Sequence, residues 1–214
     1  MFEEIRSQAT GLTRGGSTVI AFHLIISAYG FWLPNDPRGS WSDFVGSWEL
    51  LKFGPATKVS DRHNYAKDPH DVAHRREAKN ALKYPPVRFN ESQRYAIANG
   101  FERACDEAKY TCFACCIGFD HAHLVIGLHE RAIEVIAGHL KAQATRALTD
   151  ALIHPLDGHI GKRGGLPTPW SEGCWKVFID DVEQLRAAIA YVRRHPGKEG
   201  LRSQDWGFIS EASS

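Results

Sequence analysis

The segment TCFACCIGFDHAHLVIGL, from Thr111 to Leu128, decides the fold, because it contains two short apolar runs with a glycine between them. The first run extends from Thr111 to Gly118 and the second from Asp120 to Leu128. Each has the length and the apolar content of a β-strand. The segment therefore predicts two adjacent strands.

Further elements are predicted on both sides of this pair of strands. Residues 18–28 are rich in β-branched and aromatic side chains, which predicts a buried strand. Asn90 is suited to be the N-cap of a helix that extends to about Ala108. An apolar stripe over residues 131–152 predicts an amphipathic helix, and Trp175 to Ile179 predicts another strand.

The last predicted helix spans roughly Asp181 to His195. Asp180 followed by Glu183 resembles a capping box, which indicates the start of a helix. Pro196 with Gly197 is typical of the end of a helix. We therefore expect this helix to end before the proline.

The predicted order of elements is strand, helix, two strands, helix, strand, followed by a further helix. This is the order of a ferredoxin-like βαββαβ antiparallel sheet with helices on one face, an α+β fold, with an added C-terminal helix that carries Tyr191. At 214 residues the chain fits one domain. We expect a single domain over residues 1–214, with an irregular excursion at about 30–88.

The composition is that of an ordinary globular protein, with 43% apolar and 24% charged residues and a net charge of +1. A dedicated duplex-DNA binder usually carries a basic surplus, so contact with nucleic acid requires a local basic groove here. The N-terminus lacks an apolar stretch of signal-peptide length, which predicts a cytoplasmic protein. The five cysteines show no paired zinc spacing and are expected to be reduced thiols.

Two histidines lie on the second strand of the pair. The two-residue period of a strand places one set of apolar residues on the core face: Ala122, Leu124, Ile126 and Leu128. His121 and His123 then project side by side from the opposite face, at a separation that lets two imidazoles reach one metal ion. The alternative is a pair of polar residues on the open face of a half-exposed sheet. Two histidines do not fill a coordination sphere, so a metal site needs a further ligand.

The C-terminal helix offers both a tyrosine and a third histidine. Its buried stripe consists of Val182, Leu185, Ile189 and Val192, which leaves Tyr191 at the margin. His195 follows Tyr191 by one turn and is placed to be the third metal ligand. The alternative is a tyrosine packed at the edge of the core and a histidine that interacts with the C-terminus of the helix.

A His-Ala-His strand followed by YVRRHPGKEGL, from Tyr191 to Leu201, resembles the HUH single-tyrosine transposases. The chain is also similar to a subgroup related to the REP-associated tyrosine transposases in the segment YGFWLPNDPRG, residues 29–39. Further similar segments are PVRFN at 86–90, LKAQATRAL at 140–148, and Trp170 with Gly173. The resemblance covers nearly all of residues 17–206, in the order of the family.

The resemblance implies the HUH endonuclease fold and a metal-dependent enzyme that cuts and rejoins single-stranded DNA beside a hairpin. Tyr191 would attack the phosphate and form a covalent 5′-phosphotyrosine link with release of a 3′-hydroxyl. The family uses magnesium or manganese, but His195 replaces a usual asparagine or glutamine. Three imidazoles suit zinc or another transition metal better than magnesium. Asp120 also departs from the asparagine that the family often has. Family members can be dimers, so a homodimer is a further expectation.

Several residues are predicted to contact DNA. The phosphate contacts are assigned to Lys141, Arg146, Arg193 and Arg194. Base stacking is assigned to Trp32, Trp41 and Trp170, for which packing that pins the loops is the alternative.

Two other functions remain open from the sequence. One is a non-catalytic nucleic-acid-binding module on the same sheet, a fold that RNA-recognition domains also use. The other is a metal-dependent hydrolase in which water attacks and Tyr191 is structural. Only the transposase requires a covalent adduct between DNA and Tyr191.

Overall fold

The computed structural model describes residues 13–14, 17–40, 42–59, 69–162 and 164–211. The chain divides into two compact units. The first, which we name the sheet unit, comprises Met1–Ser27, Arg88–Pro155 and Glu172–Ser214. The second, which we name the insert unit, comprises Ala28–Val87 and Leu156–Ser171.

The sheet unit contains a four-stranded antiparallel sheet. Its strands are β1 (Ala21–Ser27), β2 (Cys112–Ile117), β3 (His121–Gly127) and β4 (Trp175–Ile179). Their spatial order is β2-β3-β1-β4, and every neighbouring pair is antiparallel. Helix α1 (Glu91–Ala108) connects β1 to β2, and α2 (Ile133–Asp150) connects β3 to β4. The predicted α+β ferredoxin-like βαββαβ fold is confirmed.

Helices α1 and α2 lie against each other over one face of the sheet. The N-cap of α1 is Asn90, whose side chain accepts from the backbone N–H of Gln93, and the Gln93 side chain in turn accepts from the N–H of Asn90. The two helices are in close contact at Gly100. A Cβ atom at this position would lie 2.5 Å from the Cα atom of Ala144, so only glycine allows this contact.

A third helix, α3 (Val182–Lys198), covers the opposite face of the sheet. Its apolar residues Leu185, Ile189 and Val192 pack with Cys116 and Val125 of the sheet in one buried cluster. The helices α1 and α2 therefore share one face, as predicted, and the added C-terminal helix covers the other face with its predicted apolar stripe. The alternative of an open sheet face around the histidines does not hold, because α3 buries this face.

The ends of α3 differ from the predicted ones. Its N-cap is Asp181, which accepts from the N–H of Gln184, one residue after the predicted start of the capping motif. The helix also continues through Pro196 to Lys198. Proline removes only one backbone donor, and the Pro196 carbonyl accepts from the N–H groups of Glu199 and Leu201. His195 consequently lies within the same helix as Tyr191, and Glu199 is the C-cap of that helix.

Among the described residues of the insert unit, the helices are Trp48–Leu51 and Val72–Asn80, within the region predicted as irregular. Its first loop is fixed by Arg38, which makes two hydrogen bonds to the fully buried Asp36 carboxylate, at 2.7 and 2.8 Å. The Arg38 guanidinium also lies 3.8 Å from the ring centroid of Trp32, and the Trp32 indole donates to the carbonyl of Gly39. Trp170 is only 2% exposed.

These contacts show how two of the three tryptophans pack. Trp32 and Trp170 both pin loops of the insert unit, and stacking of Trp170 on a base would need a rearrangement of its surroundings. Trp41 lies outside the described residues. All five cysteines are free thiols. Within the described part of the chain, no helix is both long and apolar enough to cross a membrane.

Candidate metal centre and tyrosine

The register of β3 on β1 places the two predicted histidines on the α3 face of the sheet. His121 lies opposite Ser27, and His123 lies opposite Ile25. Because side chains alternate along a strand, Ala122 and Leu124 point to the other face and are completely buried. The two imidazole rings are 4.8 Å apart, centroid to centroid. The predicted orientation of the pair is therefore correct.

His195 of α3 joins this pair, as the sequence predicted. Its Nε2 atom lies 3.2 Å from Nε2 of His121, and its ring centroid lies 4.2 Å from that of His123. One nitrogen from each of the three rings lies within 4.8 Å of the others. The cluster of His121, His123 and His195 can therefore hold a metal ion.

The hydrogen bonds around these rings fit such an ion. Nδ1 of His121 lies 2.9 Å from a carboxylate oxygen of Asp120, and Nδ1 of His123 lies 2.9 Å from Nε2 of His23. The rings of His121 and His123 thus have Nδ1 engaged outside the cluster and Nε2 left for a ligand bond, which is the usual arrangement of metal-bound histidines. Nδ1 of His195 is buried and has no hydrogen-bond partner among the described residues.

Burial keeps the imidazoles of His23 and His123 neutral. The pKa of His23 is lowered to about 4, mainly because burial disfavours the charged ring and secondarily because His195 is nearby. Burial also lowers the pKa of His123 well below its usual value, with smaller contributions from its neighbours His121, His195, His23 and Lys198. Only the neutral form of histidine binds a metal. His123 is therefore ready to coordinate a cation at neutral pH.

Tyr191 lies beside the histidines of its own chain. Its ring centroid is 5.7 Å from that of His123 and 5.4 Å from that of His195, and the residue is 37% exposed. The Lys198 amine lies 4.1 Å from the centre of the tyrosine ring. Burial raises the pKa of the phenol, and the nearby Cys116 and Glu199 raise it further. The hydroxyl is therefore protonated at neutral pH and needs activation before it can attack.

A carboxylate that the sequence did not indicate also reaches the cluster. Oε1 of Glu199 lies 3.4 Å from Nε2 of His121 and 3.5 Å from Nε2 of His195. Burial opposes the ionised form, but the hydrogen bond to His195 and the charge of His121 outweigh it and lower the pKa of Glu199. Glu199 is therefore ionised at neutral pH.

His23 and Glu199 are the residues of the site that sequence reasoning missed. His23 lies inside the predicted strand 18–28, and the two-residue period places it on the same face as Ile25 and therefore as His123. That period is a usable signal for His23. No comparable signal existed for Glu199, because it lies beyond the predicted end of the last helix.

The residues predicted to contact phosphates have different surroundings. Lys141 donates to the carbonyl of Gly173, and burial lowers its pKa. Arg146 donates to the side chain of Gln143, at 2.9 Å. Arg193 and Arg194 are exposed on α3, close in sequence to the tyrosine, and Arg194 donates to the carbonyl of Ala190. Their contact with DNA stays a prediction.

Comparison with known proteins finds similarity among solved structures only. No protein-family model matches the chain, and no curated protein matches it. Among solved structures, a REP-associated tyrosine transposase bound to a REP hairpin is similar, with 13% sequence identity and a TM-score of 0.46, over 93% of this chain and 81% of that one. The ferredoxin-like fold of this chain follows from its own strand order, β2-β3-β1-β4.

Proposed function

We propose that this protein is a metal-dependent, single-tyrosine enzyme that cuts and rejoins single-stranded DNA. The observation that supports this proposal most directly is the contact of Tyr191 with the three-histidine cluster of its own chain. A half-exposed tyrosine beside a metal-binding cluster combines a nucleophile with a site for phosphate activation. The motifs from His121 to His123 and from Tyr191 to Leu201, which resemble those of the HUH transposases, support the same function.

In this mechanism, the Tyr191 oxygen attacks the phosphorus of the scissile linkage. A bond forms between the phenol oxygen and phosphorus, the bond from phosphorus to the 3′ oxygen breaks, and the phenolic proton is given up as the 3′-hydroxyl gains one. His121, His123 and His195 would hold a divalent ion, which when bound polarises a non-bridging phosphate oxygen and offsets the charge of the transition state. The resulting 5′-phosphotyrosine conserves the bond energy for rejoining, so no external energy source is required.

The residues around the tyrosine have defined roles in this proposal. His23 orients the ring of His123 through their hydrogen bond, and Asp120 orients His121 in the same way. Lys198 holds the tyrosine ring at the cluster. Arg194 follows Tyr191 by three residues, and both are exposed on α3, so both side chains are available to one DNA backbone.

The nature of the DNA and of the metal is also proposed rather than observed. We infer a single strand beside a hairpin from the resemblance of the sequence, with Lys141, Arg146 and Arg193 as further phosphate contacts. Stacking by Trp32, a homodimer and a location at the nucleoid belong to the same inference. For the metal, three imidazoles favour zinc or another transition metal over the magnesium or manganese of the family.

A covalent-capture experiment distinguishes this function from its two alternatives. The full chain is incubated with end-labelled single-stranded oligonucleotides that contain hairpins, in manganese, cobalt, zinc or magnesium, and resolved on denaturing gels. A transposase yields a protein–DNA adduct that Tyr191→Phe abolishes. The matched control is Tyr95→Phe, which removes the hydroxyl of an exposed tyrosine on α1 and should leave the adduct unchanged.

The other outcomes contradict the proposal. Cleavage without an adduct in the parent protein indicates a metal-dependent hydrolase. Binding without cleavage, in all four metals, indicates a non-catalytic module. An adduct that survives in Tyr191→Phe shows that another residue is the nucleophile.

A further inference from the structure

Glu199 contributes a negatively charged oxygen to the face of the histidine cluster. Nε2 of His121, Nε2 of His195 and Oε1 of Glu199 form a triangle with edges of 3.2, 3.4 and 3.5 Å. Ligand atoms that each lie about 2.0–2.1 Å from a tetrahedral zinc ion are about 3.3 Å from one another. The three atoms are therefore spaced as ligands of one small cation, and not only as hydrogen-bonding partners.

The backbone of the β2–β3 turn holds the carboxylate in this position. The N–H group of Phe119 donates to Oε2 of Glu199 at 3.3 Å, which leaves Oε1 directed at the two histidines. A Cβ atom at Gly118 would lie 2.4 Å from Oε2, so the glycine creates the space that the carboxylate occupies. The Glu199 side chain is mostly buried, with 17% of its surface exposed. A buried carboxylate is expensive without a cationic partner.

We propose that Glu199 is a fourth metal ligand, which completes a set of three imidazoles and one carboxylate. The imidazoles of this set favour a first-row transition metal over magnesium. This inference rests on the three-histidine metal site of the proposed function. Mixed nitrogen and oxygen ligands suit zinc, iron, cobalt and manganese, whereas magnesium requires an almost entirely oxygen-based set. The carboxylate also neutralises part of the charge that the ion brings into a half-buried site.

Titration of the full chain with Co²⁺ tests this proposal without reference to DNA cleavage. The visible absorption of bound Co²⁺ reports the ligand set, and calorimetry gives the affinity. Glu199→Gln keeps an acceptor for the Phe119 N–H group but removes the charged ligand atom. We expect this variant to bind Co²⁺ at least about tenfold more weakly, because even a lost outer-shell partner costs about 10–100-fold. We also expect the absorption spectrum of Co²⁺ bound to this variant to differ from that of the parent. In the parent, excess Mg²⁺ should not displace Co²⁺.

Two further variants make the result specific. Glu107→Gln is the matched control, since the Glu107 carboxylate also contacts a histidine, His139, at 3.0 Å, but is separate from the cluster. It should bind Co²⁺ like the parent. Glu199→Asp retracts the carboxylate by one methylene and serves if Glu199→Gln does not fold; it too should weaken binding.

The outcomes separate this inference from the proposed function. Parental affinity and spectrum in folded Glu199→Gln or Glu199→Asp would overturn the fourth ligand and leave the three-histidine site intact. Failure of the parent to bind Co²⁺ would overturn both. If the Glu199 variants bind Co²⁺ weakly but neither the parent nor any variant forms a covalent adduct with DNA, Glu199 is supported as a metal ligand. The transposase function is then contradicted.

Discussion

Replacement of His23 by phenylalanine should weaken metal binding without unfolding the protein. In the proposed metal-bound state, His123 would coordinate through Nε2 and would carry its proton on Nδ1, where His23 is the acceptor at 2.9 Å. Phenylalanine fills similar space but accepts no hydrogen bond. Without metal, the neutral His123 can move its proton to the other nitrogen, so the penalty arises only when the ion binds.

The size of this penalty follows from the burial of His123. A buried N–H group without a partner costs about 1–3 kcal/mol, which corresponds to about a 5- to 150-fold increase in the Kd for the metal. Calorimetric titration of the His23→Phe protein with Co²⁺ or Zn²⁺ measures this change. The control is His139→Phe, which removes a half-buried histidine bonded to Tyr110 and Glu107. Equal metal affinity in the His23→Phe protein and the parent would refute the orienting role.

Three further predictions concern the stability of the protein. Gly100→Ala should lower the melting temperature because the new methyl group meets the backbone of α2, at a cost of about 1–3 kcal/mol. Gly138→Ala has open space around its Cβ position and should stabilise the protein by up to about 1 kcal/mol. Arg38→Ala should destabilise by about 3–5 kcal/mol because the buried Asp36 carboxylate loses its cationic partner and keeps only the backbone N–H of residue 38; a melting shift no larger than that of a surface arginine variant would contradict this. The metal-free protein should lose stability as the pH falls from 6.5 towards 4, because His23 takes up a proton in the unfolded chain but not in the folded one, where its pKa is about 4. The loss of unfolding free energy from this residue amounts to at most about 3 kcal/mol. Denaturant titrations of the parent and the His23→Phe protein at several pH values measure it.

Local sequence signals predicted the sheet well because they depend on neighbouring residues. The alternation around His121 and His123 placed both rings on one face, and the Asn90 cap marked the start of α1 correctly. The spacing of Tyr191 and His195 placed both side chains on one side of the last helix. These are short-range relations that periodicity records directly.

Long-range packing was not predictable in the same way. The course of α3 across the second face of the sheet depends on a buried cluster that joins residues distant in sequence, such as Cys116 and Val192. Pro196 indicated a helix end by local preference, but tertiary packing carried the helix three residues further. That extension brings Glu199 to the histidines, which explains why the carboxylate was missed.

The most direct test of the proposed function is to identify the residue that carries the DNA after cleavage. The covalent adduct formed on a single-stranded hairpin oligonucleotide is digested with trypsin and nuclease, and the modified peptide is sequenced by mass spectrometry. We predict a 5′-phosphate linked to Tyr191, in metal-dependent yield, with no adduct in His121→Ala or His123→Ala. A phosphopeptide that contains another residue, or complete cleavage with no modified peptide, would contradict the central claim.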